Sequence, residues 1–506
     1  MNYKTRFSHI IIALFLVFSP ILPVCGAVTM PSLLSDNMVL QQGVPVHIWG
    51  KADVGERVTV RILDQSHKAV ADKGGNWELW LHPLKSSRPV SMTVSGKNTI
   101  VIHNILIGEV WFAAGQSNME YSVRLSNNSD EEIAHADYPQ IRLFDAKRSF
   151  SDSAQTDIAG TWVLCSPETV AEMSATAYFF SRGLHRHLKV SVGLIDASWG
   201  ATRCEAWTPA KDFAADPRLN FWIKKWELFR LDYQKQYQNY LAGLEAWKVR
   251  AEKAKTEGEA IPREPIAPEG KTKYEPSVIY NGIVAPVSKF TIRGVVWYQG
   301  ENNAYEQEAY PYRYLFPTMI SAWRREWKQG DFPFIFAQLS TLNKHPYWPV
   351  LRESQTETLK LSNTAMVVTY DIGDSTDAHF KNKQTVGHRF ELAARSLVYG
   401  ENIEASGPMF RQMTVEGDSL RIWFDHADGM RSSDGGVLAG FEIAGDNGKR
   451  YPAKATIDGE TILLYNEKVT NPSVARYAFK DATIGNLING SGLPAVPFRT
   501  DVKNGL

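Results

Sequence analysis

The chain has 506 residues, room for roughly two to four domains, and its 44% hydrophobic and 22% charged content is that of ordinary globular protein. Lys plus Arg number 55 and Asp plus Glu number 55, which excludes the basic footprint of a nucleic-acid binder or of a protein held on an anionic membrane surface. The 15 Trp fit carbohydrate handling, because indole faces pack on sugar rings, and they fit core packing equally well.

The first elements read as an export signal. Lys4 and Arg6 precede the apolar run Ile10–Phe18, which Pro20 and Pro23 break before Cys25-Gly26-Ala27. The run is too short to span a membrane and ends in small residues, so residues 1–27 are expected to be a signal peptide and the protein to be periplasmic, secreted or on the cell surface. Leu22-Pro23-Val24-Cys25 also resembles a lipobox, which would leave a lipid anchor on Cys25. Beyond it only Cys165 and Cys204 remain, and an oxidising compartment would allow them to pair.

Residues 28–107 alternate with period two in Val44–Trp49, Val58–Ile62 and Thr99–Ile102, with Gly50, Gly55, Gly74-Gly75 and Gly96 between the runs. That is the pattern of a small β-sandwich-like domain. Residues 108–405 change character. Val110–Ala114, Val192–Ala197, Gly294–Tyr298, Phe334–Leu339 and Ala365–Tyr370 are apolar on successive residues, as strands covered on both faces are. Helix-like segments such as Glu168–Leu188, Tyr310–Trp327 and Lys383–Leu397 lie between them, which predicts an α/β domain: a parallel sheet with helices on both faces.

Within that domain, about 209–277 reads as a helical insertion. Trp222, Trp226, Phe229, Tyr233, Tyr237, Tyr240, Leu244 and Trp247 recur at helical spacing and predict one packed face of a long helix. Residues 406–506 return to short alternating runs, Leu420–Phe424, Gly440–Ile443, Thr461–Tyr465 and Arg476–Phe479, and read as a C-terminal β domain.

Polar clusters follow four of the parallel-strand runs: Gly115-Gln116-Ser117-Asn118, Ser198-Trp199-Gly200-Ala201-Thr202, Gln299-Gly300-Glu301-Asn302-Asn303, and Asp371 to His379. In open α/β sheets the ligand crevice lies at the carboxyl ends of the strands. Together the clusters contain a hydroxyl, a Gly able to offer its N–H, amide donors and an Asp-x-His pair. Acyl transfer by serine needs these parts: a neutral imidazole to take the hydroxyl proton, a carboxylate to orient the imidazole, and donors aimed at the oxyanion. Ser117 alone is as well read as a turn residue, and Asp377 with His379 as loop residues; their arrival after strands of one sheet is what links them.

The chain also resembles the sialate O-acetylesterases of the SGNH-hydrolase superfamily. The matching stretches are Leu106–Trp111 running into Gly115–Met119, Ser198-Trp199-Gly200 with Glu205-Ala206-Trp207, Trp297–Glu301 with Asn303, and Asp374, Asp377, His379, Lys381 and Lys383. Ser35–Gln41, Gly492-Leu493-Pro494 and Pro497–Asp501 extend the likeness over nearly the whole mature chain.

The resemblance implies an SGNH-type fold, with Ser117 as nucleophile, His379 as general base and Asp377 as its orienter. It implies an oxyanion hole of the Ser117 N–H, the Gly200 N–H and the Asn303 side chain, with Asn302 the competing choice. Gln116, Gln299, Glu301, Arg203, Arg352 and Gln355 are candidates to bind substrate; Arg352, Glu353 and Gln355 share a predicted helix. The family usually has Pro after the His and often a second Gly after the first, where this chain has Phe380 and Ala201. The implied partner is an O-acetylated sialoglycan or another acetylated carbohydrate such as xylan. No cofactor is implied, and the sequence carries no His-Glu-x-x-His metal signature. A non-catalytic sugar-binding protein leaves Ser117, Asp377 and His379 unexplained. A glycosidase using Glu301 and Asp374 leaves the Ser-His-Asn set without a role.

Overall fold

The computed structural model describes residues 27–501 apart from Glu269, Lys271 and Ile484. The expected signal peptide, including Cys25, lies outside the described residues except for Ala27. The N-terminal strands are β1 (Val39–Gln41), β2 (Val46–Lys51), β3 (Arg57–Ile62), β4 (Gln65–Val70), β5 (Asn76–Leu81) and β6 (Val90–Ser95). They lead into β7 (Thr99–Gly115), a 17-residue strand whose burial alternates at its start and becomes continuous from Ile105 onward. The change follows its sequence, which alternates through His103-Asn104 and then turns apolar on both faces.

The first half of β7 pairs antiparallel with β6; the second half pairs parallel with strands of the central sheet. The domain division expected at 107/108 therefore falls inside one strand, and the two units share it.

The central sheet continues with β8 (Tyr138–Ala146), β9 (Gly160–Cys165), β10 (Ser191–Asp196), β11 (Gly294–Tyr298), β12 (Phe334–Ala337) and β13 (Thr364–Val367). Its order is β13-β12-β11-β7-β10-β8-β9, parallel throughout except for β9. The apolar runs do not foreshadow β8, because Arg142 interrupts it. Arg142 is nevertheless buried, its guanidinium donating to the Pro139 and Asn37 carbonyls at 2.7 and 3.0 Å, and burial pulls it down to about 10.

Trp111 and Phe112 are consecutive on β7 and so point to opposite faces. Trp111 packs on Phe180 of helix Ala175–Leu188, and Phe112 on Trp323 of helix Tyr312–Trp327. Helices thus cover both faces.

The insertion is helix Asn220–Glu257, 38 residues long. Of the aromatic stripe only Trp222 and Trp226 are buried; Phe229 and Tyr237 are exposed. Farther out the helix is met by its own return segment, with the Trp247 indole donating to Pro262 O at 2.7 Å. The C-terminal region carries two four-stranded sheets and a two-stranded one, the β architecture its turn-punctuated pattern predicts. Cys165 and Cys204 are both buried free thiols, which corrects the pairing considered above: Cys165 faces Ala136 O and Cys204 the sulfur of Met319. Among the described residues no helix is long and apolar enough to cross a membrane.

Candidate active site

The site begins where β7 ends. Gly115 has φ +138°, and a Cβ there would stand 2.2 Å from Tyr298 O, so only Gly fits against β11. The chain then turns into helix Ser117–Glu120, whose first residue is Ser117. An N–H at that position has no acceptor within its helix, leaving it available to a ligand. Strand register explains the neighbours. β7 lies between β11 and β10, with Gly115 opposite Tyr298 and Ala113 opposite Asp196. The turns after both strands therefore flank Ser117. Gln116 fastens one of them, accepting the Gly300 and Asn302 N–H groups on Oε1 at 3.3 and 3.4 Å. The Trp199 N–H donates to Gly115 O at 3.0 Å and fastens the other.

His379 comes from the loop after the edge strand β13 and reaches back, with Nε2 2.8 Å from Ser117 Oγ. Asp377 is less engaged. Its Oδ1 accepts the His379 backbone N–H at 2.8 Å and stands 3.7 Å from Nδ1, on a side chain 61% exposed. The loop is held instead by Asn118, whose amide donates to Ala378 O at 3.0 Å and to Glu301 Oε1 at 2.5 Å. Asn118 Oδ1 accepts from the Lys383 ammonium at 2.6 Å.

Lys383 is fully buried, and desolvation pulls it down to about 7 against the opposing pull of Glu301. Its Nζ lies 3.8 Å from the centre of the Phe380 ring. The departure from Pro at 380 thus supplies a face for a buried cation. Neither Asn118 nor Lys383 carries a role in the sequence reading. Asn118 sits in the nucleophile motif and Lys383 among the matching positions, but nothing local says that they meet.

Asn303 does not serve as expected. It is fully buried, and its amide donates to Glu205 Oε2 at 2.8 Å and Glu308 Oε2 at 3.2 Å. Its oxygen accepts the Cys204 N–H at 2.9 Å and the Gln299 amide at 2.8 Å. Both amide hydrogens are spent on carboxylates, so neither is left for an oxyanion. Asn302 is only partly buried, and its backbone N–H is tied to Gln116 beside the nucleophile. Gly200 does lie at the nucleophile: a Cβ on it would be 3.6 Å from Ser117 Cβ. Its N–H is engaged by the Glu120 carboxylate. Ala201 holds φ +60°, a left-handed conformation that a Gly would adopt without strain.

Several candidate substrate-binding residues turn out to be structural. Arg352 is fully buried and donates to the carbonyls of Ser340, Lys480 and Asp481, joining the C-terminal β region to the α/β body. Glu353 pairs with Arg499 and Arg313. Gln355 bridges Gln299 O and the Leu339 N–H, and Gln299 bridges Thr202 O, Asn303 and the Tyr312 hydroxyl; both are fully buried. Polar as these side chains are, the partners they meet lie within the protein. Arg203 is drawn into the carboxylate cluster by Glu308 at 2.7 Å. Burial, then the charge of Glu308, pushes the Glu205 carboxyl upward in that cluster. Glu301 stays at the site, bound to Asn118, its carboxyl raised by desolvation.

The family described as "Carbohydrate esterase, sialic acid-specific acetylesterase" matches residues 257–396. The chain is 28% identical to the sialate O-acetylesterase of Rattus norvegicus, over 94% of each chain. It is 29% identical to that of Homo sapiens over 75% of this chain and 72% of the other. The crystal structure of a carbohydrate acetylesterase from Xanthomonas citri superposes with a TM-score of 0.81 at 30% identity, covering 94% of this chain and all of the other.

Proposed function

Because the chain belongs to the sialic acid-specific acetylesterase family of carbohydrate esterases, we propose that it hydrolyses O-acetyl esters of sialic acid, the 9-O-acetyl group foremost, through an acyl-enzyme on Ser117. The observation that carries the reading is the 2.8 Å contact between His379 Nε2 and Ser117 Oγ, made at a turn flanked by two donor-bearing loops. Ser117 Oγ attacks the acetyl carbonyl while His379 takes its proton. The oxyanion is met by the Ser117 and Gly200 N–H groups and the Asn302 amide. Collapse breaks the bond to the sugar oxygen, which the His379 imidazolium protonates to the free hydroxyl. Water, activated by the same imidazole, then releases acetate from Ser117.

The same proposal puts the enzyme outside the cytoplasm, on the strength of the leader-like sequence 1–27. The test is acetate release from a 9-O-acetylated sialoglycan and from acetylated xylan, measured side by side with wild type and Ser117→Ala. Preference for the sialoglycan, lost in the variant, is the expected result. Faster release from xylan would overturn the substrate, and retained activity in Ser117→Ala would overturn the nucleophile.

A further inference from the structure

The Gly200 N–H, needed by the oxyanion, is covered by Glu120. This residue ends the short helix that begins at Ser117, and its carboxylate has two partners: Oε2 takes the Gly200 N–H and Oε1 takes the Arg148 guanidinium. A carboxylate here occupies the donor and places a negative charge beside the point where another must develop, so it has to leave before acylation.

The surroundings suggest what displaces it. Arg148 projects from the segment after β8 with a side chain 52% exposed, and the Glu120 side chain is 30% exposed, so the pair is reachable from solvent. On the other side of Gly200, Lys273 donates to Gly200 O at 2.6 Å and lies over the Trp199 ring. Two cations from separate segments thus lie at Gly200, Lys273 on its carbonyl and Arg148 through the Glu120 that takes its N–H. Guanidinium binds carboxylates as a two-pronged partner, so a substrate carboxylate can compete with Glu120 for Arg148. A ligand shifts such an equilibrium only by its differential affinity for the open form, and contact with Arg148 supplies that difference.

We propose that Glu120 and Arg148 form a substrate-released cover on the oxyanion hole, opened when the carboxylate of an acidic sugar takes Arg148 and frees Glu120 from Gly200. The idea rests on the sialate reading above and adds a specificity device to it: neutral acetyl esters meet a covered donor, and acetyl esters of acidic sugars uncover it. No covalent step is involved, only an exchange of ion-pair partners.

The test compares wild type, Glu120→Gln and Arg148→Ala on three substrates: 9-O-acetyl-N-acetylneuraminic acid, its methyl ester, and p-nitrophenyl acetate. Wild type should favour the acid over its methyl ester by about tenfold in kcat/KM, the scale of a modest coupling. Arg148→Ala should abolish that ratio, raising KM for the acid and, because Glu120 loses the partner that holds it, raising kcat/KM for the neutral esters. Glu120→Gln should raise kcat/KM for the aryl acetate and the methyl ester about threefold or more. Equal wild-type rates on acid and methyl ester would overturn the proposal. So would a loss of aryl-acetate turnover in a folded Glu120→Gln, since Glu120 would then assist the reaction. If Glu120→Gln does not fold, Arg148→Ala, altered at an exposed position, decides by the acid-to-ester ratio alone. If wild type cleaves neither sialate ester, the sialate reading fails; the cover is then judged on the aryl acetate, where a gain in Glu120→Gln supports it and no gain overturns it.

Discussion

Asp377 uses one oxygen, Oδ1, both to accept the His379 backbone N–H at 2.8 Å and to stand 3.7 Å from the His379 ring nitrogen Nδ1. The carboxylate shapes the loop more than it grips the imidazole, and its exposure lets water screen what it does to the ring. Ser117→Ala and His379→Ala should each lower aryl-acetate turnover by ~10⁴ or more, as losses of a nucleophile or its base do. Asp377→Asn should cost less, about 10–10², because an exposed partner at that distance contributes less than a buried one. Steady-state kcat for the three variants checks the order; a loss at Asp377→Asn equal to that at His379→Ala would mean that the carboxylate closes on Nδ1 during turnover.

The two neighbouring asparagines should separate cleanly. Asn302→Ala should lower kcat by about 10²–10³ and leave stability near wild type, the signature of a lost oxyanion donor. Asn303→Ala should instead destabilise the fold by about 1–3 kcal/mol, because it strands the Glu205 and Glu308 oxygens it satisfies. Kinetics and urea denaturation on both variants test the assignment, and the reverse pattern would restore Asn303 to the hole.

Lys383 gives a pH signature. With the folded-state value pulled to about 7, the folded protein holds fewer protons on this group than the unfolded chain does between there and the ordinary lysine range. Its contribution to stability therefore rises with pH across about 7 to 10 and is poorest below 7, where both states carry the charge. The stability difference between wild type and Lys383→Met should move in favour of wild type by about 2–3 kcal/mol from pH 6 to pH 9. Denaturant titrations at the two pH values measure it; a constant difference would mean that the ammonium stays charged in place.

Ala201 sits at φ +60° one residue beyond the Gly200 donor. Ala201→Gly should stabilise the protein by about 1 kcal/mol, since the left-handed conformation costs Ala what Gly does not lose there. Thermal unfolding reads the shift, and a lower Tm would show that the methyl group is held by favourable packing.

Arg352→Met should lower stability by about 2–4 kcal/mol, because three carbonyls lose the charged donor that joins them, and should leave KM unchanged. A raised KM with unaltered stability would return Arg352 to the substrate.

Much of the architecture is written locally. The five continuous apolar runs fall on β7, β10, β11, β12 and β13, since a strand covered on both faces needs apolar residues at consecutive positions. The polar clusters that follow them collect at one end of the sheet, since parallel strands all point the same way. β8 is not legible because Arg142 breaks its run, and its buried guanidinium depends on the distant carbonyls of Asn37 and Asn104 as well as on the nearby Pro139 carbonyl. The 38-residue helix is legible from its period, but how far along it the body reaches is not.

What the sequence by itself determined is the set of groups and the ends of strands that carry them: Ser117, Gly200, the Asn302-Asn303 pair and His379. It could not determine how hydrogen bonds are shared among them, because that depends on partners brought from distant parts of the chain. Glu205 claims Asn303 from 98 residues away, Asp481 claims Arg352 from 129, and Glu120 reaches Gly200 across 80. A polar side chain has the same donors wherever it sits; only tertiary packing decides whether they are spent in the interior or left for a substrate.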